Sequence, residues 1–291
     1  MSVLVTGASG KVGTQIVDIL HSRNVRTVAA SRQPDQLALP EGVESTRIDL
    51  SEDASSYDGV FDGIDSAFVF PNFSGLEGFL EAARRSSVRR LILLSSAAVL
   101  AQSSDTNPIA QMHRKLESEV EDSGIDFAII RPDGFATNAL RWSDPIQRSG
   151  RASIAYAQAT SVPVHPHDVA AVAVSLLLDT NVCDAFRVTG PHALTQRDQI
   201  DTISRIVGTP IEVEDLVDDD ARRQVEAEYG TSVPGLVDSI LNGLRSTIDN
   251  PPTASTDVET LTGTAPISFA DWVHEARSAF QANPINPGLV P

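Results

Sequence analysis

One cysteine in 291 residues leaves no partner for an intramolecular disulfide. Cys183 sits in neither a thiolate motif nor a metal-binding cluster, and it reads as a small apolar residue. Positive charge is short as well: 22 Lys and Arg face 39 Asp and Glu, a formal net charge of −17. That imbalance opposes attraction to nucleic acid or to an anionic membrane surface. It leaves room for a small anionic ligand, which needs only a local patch of amides and a cation or two. Long apolar runs are missing too. The longest covers residues 169–178, far below the ~20 residues that span a bilayer. The stretch from Met1 to Gly7 lacks a basic segment ahead of a long apolar one, so no secretory signal and a cytoplasmic, reduced setting are expected. With 41% hydrophobic and 21% charged residues the composition is that of a globular protein, which excludes a mainly disordered or fibrous chain.

What is present is alternation. Short apolar runs at residues 3–5, 25–30, 43–48, 67–70, 91–94 and 127–130 read as strands, the fourth and sixth stopped by Pro71 and Pro132. Helical spacing falls between them, over 11–20, 53–61, 76–86 and 109–122. Strands that are apolar throughout, rather than at every second residue, are covered on both faces, which points to parallel βαβ units. A helix over 168–178 and a strand over 186–188 would finish the sheet. Beyond residue 195 the pattern is mostly helical, at 198–206, 219–228, 234–244 and 269–280, and 246–266 is rich enough in Ser, Thr, Pro and Asp to read as a loop. The expected fold is α/β, a Rossmann-type doubly wound parallel sheet over residues 1–190. A smaller, mostly helical substrate-side subdomain over 191–291 completes it.

The most specific motif is Thr6-Gly7-Ala8-Ser9-Gly10-Lys11-Val12-Gly13, which leaves a strand and opens a helix. Glycines there permit a tight turn, close approach of backbone to a pyrophosphate, and close packing of helix on strand, while the helix N-terminus offers unpaired N–H groups to phosphates. Gly7, Ser9, Gly10, Lys11, Val12 and Gly13 are therefore expected around a dinucleotide. After the second strand stands Ser31-Arg32, where an acidic residue would bind a ribose 2′-OH and an Arg accommodates a 2′-phosphate. Arg32, with Lys11 as a second cation, favours NADP(H) over NAD(H). Asp49, after the third strand, either meets the adenine or caps a turn. His165 and His167 invite a metal reading, but a catalytic zinc wants three protein ligands and no third is placed, so no metal is expected.

These residues resemble the NmrA-like branch of the atypical short-chain dehydrogenase/reductases, which holds NAD(P)H-dependent quinone reductases, isoflavone-type reductases and catalytically silent redox sensors. The resemblance spans nearly the whole chain. It rests on the glycine loop, Arg32, Ser95-Ser96, Lys115-Leu116-x-x-Glu119, Ser123-Gly124-Ile125-Asp126-Phe127, Arg131-Pro132-x-x-Phe135-x-x-Asn138 and His167-Asp168-Val169-Ala170. It implies that Lys115 contacts the cofactor and acts in catalysis, that Ser96 stands at the catalytic serine position, and that Phe70 and Asn72 lie on the nicotinamide side. His113, two residues before Lys115, is expected at the surface. The chain departs from the wider superfamily's Tyr-x-x-x-Lys pair, because four residues before Lys115 stands Gln111. A Gln amide can orient a carbonyl but is no general acid near neutral pH. Isoflavone-type reductases also lack that Tyr and keep the Lys.

Phe135, Asn138, Trp142 and Tyr156 either wall a pocket for a flat or apolar molecule or simply pack helices, and Tyr156 is a conceivable proton donor. The expected activity is hydride transfer from NADPH to a small conjugated carbonyl, quinone or enone, in a setting such as tailoring of a secondary metabolite. A non-catalytic NADP(H) redox sensor and a redox-neutral isomerase or cyclase are the alternatives. The partner would be a small molecule, not nucleic acid or membrane, and the protein a monomer or homodimer.

Overall fold

The computed structural model describes residues 1–101, 105–179 and 181–281. They form two compact units: the described residues of 1–133, 166–189 and 255–266 make one, and those of 134–165, 190–254 and 267–281 the other. The boundary expected at residue 190 marks one of the points where the chain passes between units; the others follow Asp133, His165, Ala254 and Pro266.

In chain order the first unit contains β1 (Ser2–Val5), α1 (Lys11–Ser22), β2 (Arg26–Ser31), β3 (Glu44–Arg47), β4 (Ser66–Val69), α2 (Glu77–Arg84), β5 (Arg90–Leu94), α3 (Pro108–Glu121) and β6 (Asp126–Pro132). The chain then enters the second unit with α4 (Ser143–Ser149), β7 (Arg151–Ala155) and β8 (Thr160–Ser161). It re-enters the first as α5 (Pro166–Leu178) and β9 (Ala185–Val188). The second unit resumes with β10 (Leu194–Thr195), α6 (Gln196–Val207), β11 (Glu212–Leu216), α7 (Asp218–Tyr229) and α8 (Leu236–Asp249). After α9 (Asp257–Thr262) in the first unit, α10 (Phe269–Glu275) closes the second.

The first unit is built on a seven-stranded sheet in the order β3-β2-β1-β4-β5-β6-β9, every pair parallel. β1, β4 and β5 are buried along their whole length, as strands covered on both faces must be. A core of Leu4, Ile64, Val69, Leu91, Leu93 and Ile129 fills one side of the sheet, joined by an aromatic group in which Phe79 meets Phe61 at 5.1 Å and Tyr57 at 5.8 Å.

The helix expected over 53–61 is a single 3-10 turn, Ala54–Tyr57. The Tyr57 hydroxyl donates back to the Asp49 carbonyl at 2.5 Å, and Gly59 and Gly63 adopt left-handed backbone (φ 78° and 69°), which ends any helix there. The stretch 246–266 carries α9 and the end of α8 rather than a plain loop. α9 is anchored by Val258, 1% exposed, by Ser175 Oγ donating to the Leu261 carbonyl at 2.6 Å, and by Asp257 accepting from Arg187 N at 2.8 Å. In the second unit β7 and β11 form a parallel ladder from Arg151↔Glu212 to Ala155↔Leu216, where sequence patterning indicates no strand. The core of that unit gathers Trp142, Ile154, Ile200, Ile203, Phe269 and Trp272.

Helix α1 reaches β1 only because Gly13 has no side chain. A Cβ there would stand 2.2 Å from Gly7 O and 2.9 Å from Ala8 Cα, and both atoms are backbone and cannot swing aside. Gly13→Ala is therefore expected to destabilise the protein by about 1–3 kcal/mol, as overpacking does. Thermal unfolding followed by circular dichroism would measure this, and an unchanged midpoint would show that helix and strand have slack.

Candidate functional site

Strand order reverses between β1 and β4, and it is outside the carboxyl ends of strands at such a reversal that open α/β sheets bind ligands. Thr6 ties the two strand ends together: its hydroxyl donates to the Phe68 carbonyl at 3.0 Å and accepts from Phe70 N at 2.7 Å. The glycine loop leaves β1 here with Gly7 at φ +66°, folded so closely under Phe70 that a Cβ on Gly7 would lie 2.8 Å from the ring. Ala8 N donates to the Ala30 carbonyl at 3.1 Å, fixing the loop against the end of β2.

A cavity of about 300 Å³ opens beside this junction. Of the residues expected around a cofactor, Gly7, Ser9, Gly10, Ser31, Arg32, Asp49 and Phe70 line it, together with Asn72. Gly10 caps α1 without a side chain, and no acidic residue lies in the first turn of that helix. The N–H groups of the turn and the positive dipole end are thus left for an anion. Arg32 is exposed on the cavity wall. The Asp49 carboxyl is held below the usual carboxylate range by hydrogen bonds from the Ser51 hydroxyl at 2.7 Å and the Ser51 N–H at 3.1 Å, with Arg32 and Arg47 adding to the effect and burial opposing it. Asp49 is thus a turn cap that also faces the cavity. Lys11 is exposed, Val12 and Gly13 are buried in the helix packing, and none of the three lines the cavity.

Helix α3 brings together a different set from the one expected. Its inward stripe is Ala110, His113, Leu116, Glu117 and Val120, all buried. Lys115 falls outside that stripe, with 62% of its side chain exposed and Nζ 3.6 Å from Glu119, and it lines a separate cavity with Glu52, Glu77 and Glu119. Gln111 is exposed and donates to the Asp105 carbonyl at 2.5 Å. Ser96 caps the 3-10 turn Ala97–Leu100 by accepting from Ala98 N at 3.2 Å.

His113 is a correction: expected at the surface, it is only 7% exposed. Burial pushes its pKa down, against the pull of Glu117, and its Nδ1 is buried without a hydrogen-bond partner among the described residues. One turn on, Glu117 is 5% exposed and accepts Arg131 Nε at 2.9 Å and Nη2 at 2.7 Å, with the Ser95 hydroxyl donating to it at 2.5 Å. This tie between α3 and the ends of β5 and β6 went unread in the sequence, although the spacing 110, 113, 116/117, 120 carries the signal.

In the second unit Phe135 is half-buried and bridges Val164 through its backbone, Asn138 is exposed, and Trp142 is a core residue, 2% exposed, with the Arg141 guanidinium 4.5 Å from its ring centroid. Tyr156 is buried at φ +55°. Its hydroxyl accepts from Arg245 Nε at 2.6 Å and from Asp218 N at 3.3 Å.

A family profile described as NAD(P)H-binding matches residues 7–180, more than half of the chain. The chain belongs to this NAD(P)H-binding family. A curated relative, the (4-alkanoyl-5-oxo-2,5-dihydrofuran-3-yl)methyl phosphate reductase of Streptomyces griseus, is 32% identical over 287 residues, which cover 96% of this chain and 99% of the relative. Among solved structures, an NADPH-dependent quinone oxidoreductase from Escherichia coli superposes with a TM-score of 0.75 at 19% identity, covering 94% of this chain and 99% of that one. The Citrobacter sp. triphenylmethane reductase complexed with NADP(H) superposes with a TM-score of 0.75 at 16% identity, covering 96% and 100%. The NmrA-like resemblance stands with these relatives, and the NAD(P)H-binding protein described here is an oxidoreductase of the reductase type. Among its described residues no helix is long and apolar enough to cross a membrane.

Glu117→Gln is expected to cost about 3 kcal/mol, because it removes the charge that compensates the half-buried Arg131 guanidinium. Denaturant unfolding would read the loss, and a midpoint equal to wild type would mean that solvent replaces the partner.

Proposed function

We propose that the protein reduces a small conjugated carbonyl compound, a quinone or an enone, and uses NADPH in preference to NADH. The observation that carries the reading is Arg32, exposed on the wall of the glycine-loop cavity at the strand end where a carboxylate would select a free ribose hydroxyl. The site fits a dinucleotide. Gly7 and Gly10 leave the loop backbone open where side chains would crowd it, the first turn of α1 offers uncapped amides to a pyrophosphate, and Arg32 offers a cationic fork to a 2′-phosphate. Phe70, 41% exposed, gives the cavity a flat aromatic wall, and Asn72 stands beside it.

Bound NADPH supplies the hydride, and the residues supply position, which accounts for much of the rate in such transfers. The substrate class draws on the Streptomyces griseus relative, whose named substrate is an acyl dihydrofuranone phosphate with a ring double bond conjugated to carbonyls. It also draws on Gln111 standing where the superfamily's tyrosine would be: a quinone, whose reduced anion is a weak base, makes the least demand on a strong acid. Phe135 and Asn138, both with accessible surface, are the aromatic and amide groups we assign to substrate contact. The Tyr156 hydroxyl accepts two hydrogen bonds, one of them from the Arg245 guanidinium, and its own O–H is left to donate.

Arg32→Ala is expected to raise the dissociation constant for NADPH by about 10–100-fold, the worth of a hydrogen-bonded charge, and to leave NADH binding nearly unchanged. Fluorescence titration with each nucleotide measures both, and an equal loss for the two would remove the 2′-phosphate reading. Mixing the protein with NADPH and 1,4-naphthoquinone tests the activity itself. Tight NADPH binding with no oxidation would turn the reading toward a sensor.

A further inference from the structure

His113 is a titratable side chain, more than nine-tenths buried, that the binding of a dinucleotide leaves unused. It lies at the same edge of the sheet as the cavity. The loop after β4 runs from Phe70, Pro71 and Asn72, which line the cavity, directly to Phe73, whose ring stands edge-on to the His113 ring with centroids 5.0 Å apart. From the other side the ring is held by α3, where Glu117, one turn on, is committed to Arg131 from β6 and to Ser95 at the end of β5. Glu117 is therefore engaged and His113 is not. Its Nδ1 is buried and has no partner among the described residues; a proton there would be a buried donor left unpaired, so a neutral ring does better to carry it on Nε2. Among the described residues no hydrogen bond engages the second nitrogen.

We infer that His113 is a catalytic residue of the reduction, its Nε2–H donating a hydrogen bond to the substrate carbonyl oxygen as hydride arrives. The inference rests on the reductase reading above. The electrophilic carbon, either the carbonyl carbon or the carbon conjugated to it, accepts the two-electron hydride given up by NADPH, which leaves as NADP⁺. The π pair of the carbonyl settles on oxygen, where Nε2–H meets the growing charge, and a solvent proton completes the alcohol, enol or hydroquinone. A neutral imidazole suits this role, since a donor is wanted rather than a strong acid, and burial favours the neutral form here. Phe73, 47% exposed, would close the apolar side of the same contact.

The test pairs two variants with two readouts. His113→Leu keeps volume and removes the donor; His113→Gln keeps an N–H. With 1,4-naphthoquinone and NADPH, His113→Leu is expected to lose about 100-fold or more in kcat while its dissociation constant for NADPH stays within about twofold of wild type, and His113→Gln is expected to recover part of the loss. Unchanged turnover in His113→Leu, or an equal loss in both variants, would overturn the inference. The second readout needs no turnover. The ¹⁵N resonance of His113 Nε2 is followed as 4-nitrophenolate, an oxyanion probe, is added to the NADP⁺-loaded protein. A shift that His113→Leu abolishes supports the contact, and no shift overturns it. Failure of wild type to oxidise NADPH would remove the proposed reduction and with it the catalytic role, while the resonance would still decide whether Nε2–H meets an oxyanion.

Discussion

Two backbones touch in the first unit, and the rest of its site follows from that contact. With no side chain at Gly13, helix α1 settles against Gly7 at the end of β1, closer than any other residue would allow. The contact aims the uncapped N-terminus of the helix at the point where strand order reverses. It also brings the loop under Phe70, so that an uncapped helix end, a cationic strand end at Arg32 and an aromatic wall border one cavity. The glycine contact makes them neighbours.

Local pattern made part of this legible. β1, β4 and β5 read as buried strands because the residues along them, Arg90 apart, are apolar or small, and the glycine loop read as a nucleotide loop because all of its determinants lie within eight residues. Where structure depends on distant pairing, the pattern is silent. β11 reads Glu212-Val213-Glu214-Asp215-Leu216, too acidic to suggest a strand, and it forms one because β7, some sixty residues earlier, offers a parallel partner with Arg151 set against Glu212. The short turn at Ala54–Tyr57 likewise depends on a tertiary hydrogen bond from Tyr57 to Asp49, which helical spacing cannot convey.

Helix α3 shows a subtler limit. Lys115 and His113 are two residues apart and so must face different directions, but that pair alone does not say which direction is inward. Attention to a lysine of the superfamily pattern pointed to the wrong stripe for burial. The apolar companions decide it: Ala110, Leu116 and Val120 are the residues that can be buried against the sheet, and they carry His113 and Glu117 in with them. Polar residues that share a helical stripe with apolar ones are the places where a fold encloses charge, and enclosed charge is seldom idle.

Helix α9 gives the molecule a temporal order. Its six residues belong to the sheet-bearing unit, pinned there through Asp257 to the edge strand β9 and through Leu261 to Ser175 on α5, yet the chain reaches them only after passing through most of the other unit. A ribosome delivers the glycine loop some 250 residues before α9. The parallel sheet can assemble early on the growing chain, but its outer edge and the back of α5 stay uncovered until α9 has emerged. The nucleotide-binding half is therefore not a cassette that is finished and set aside while the rest is made; the second unit is synthesised, for the most part, inside the interval in which the first is incomplete.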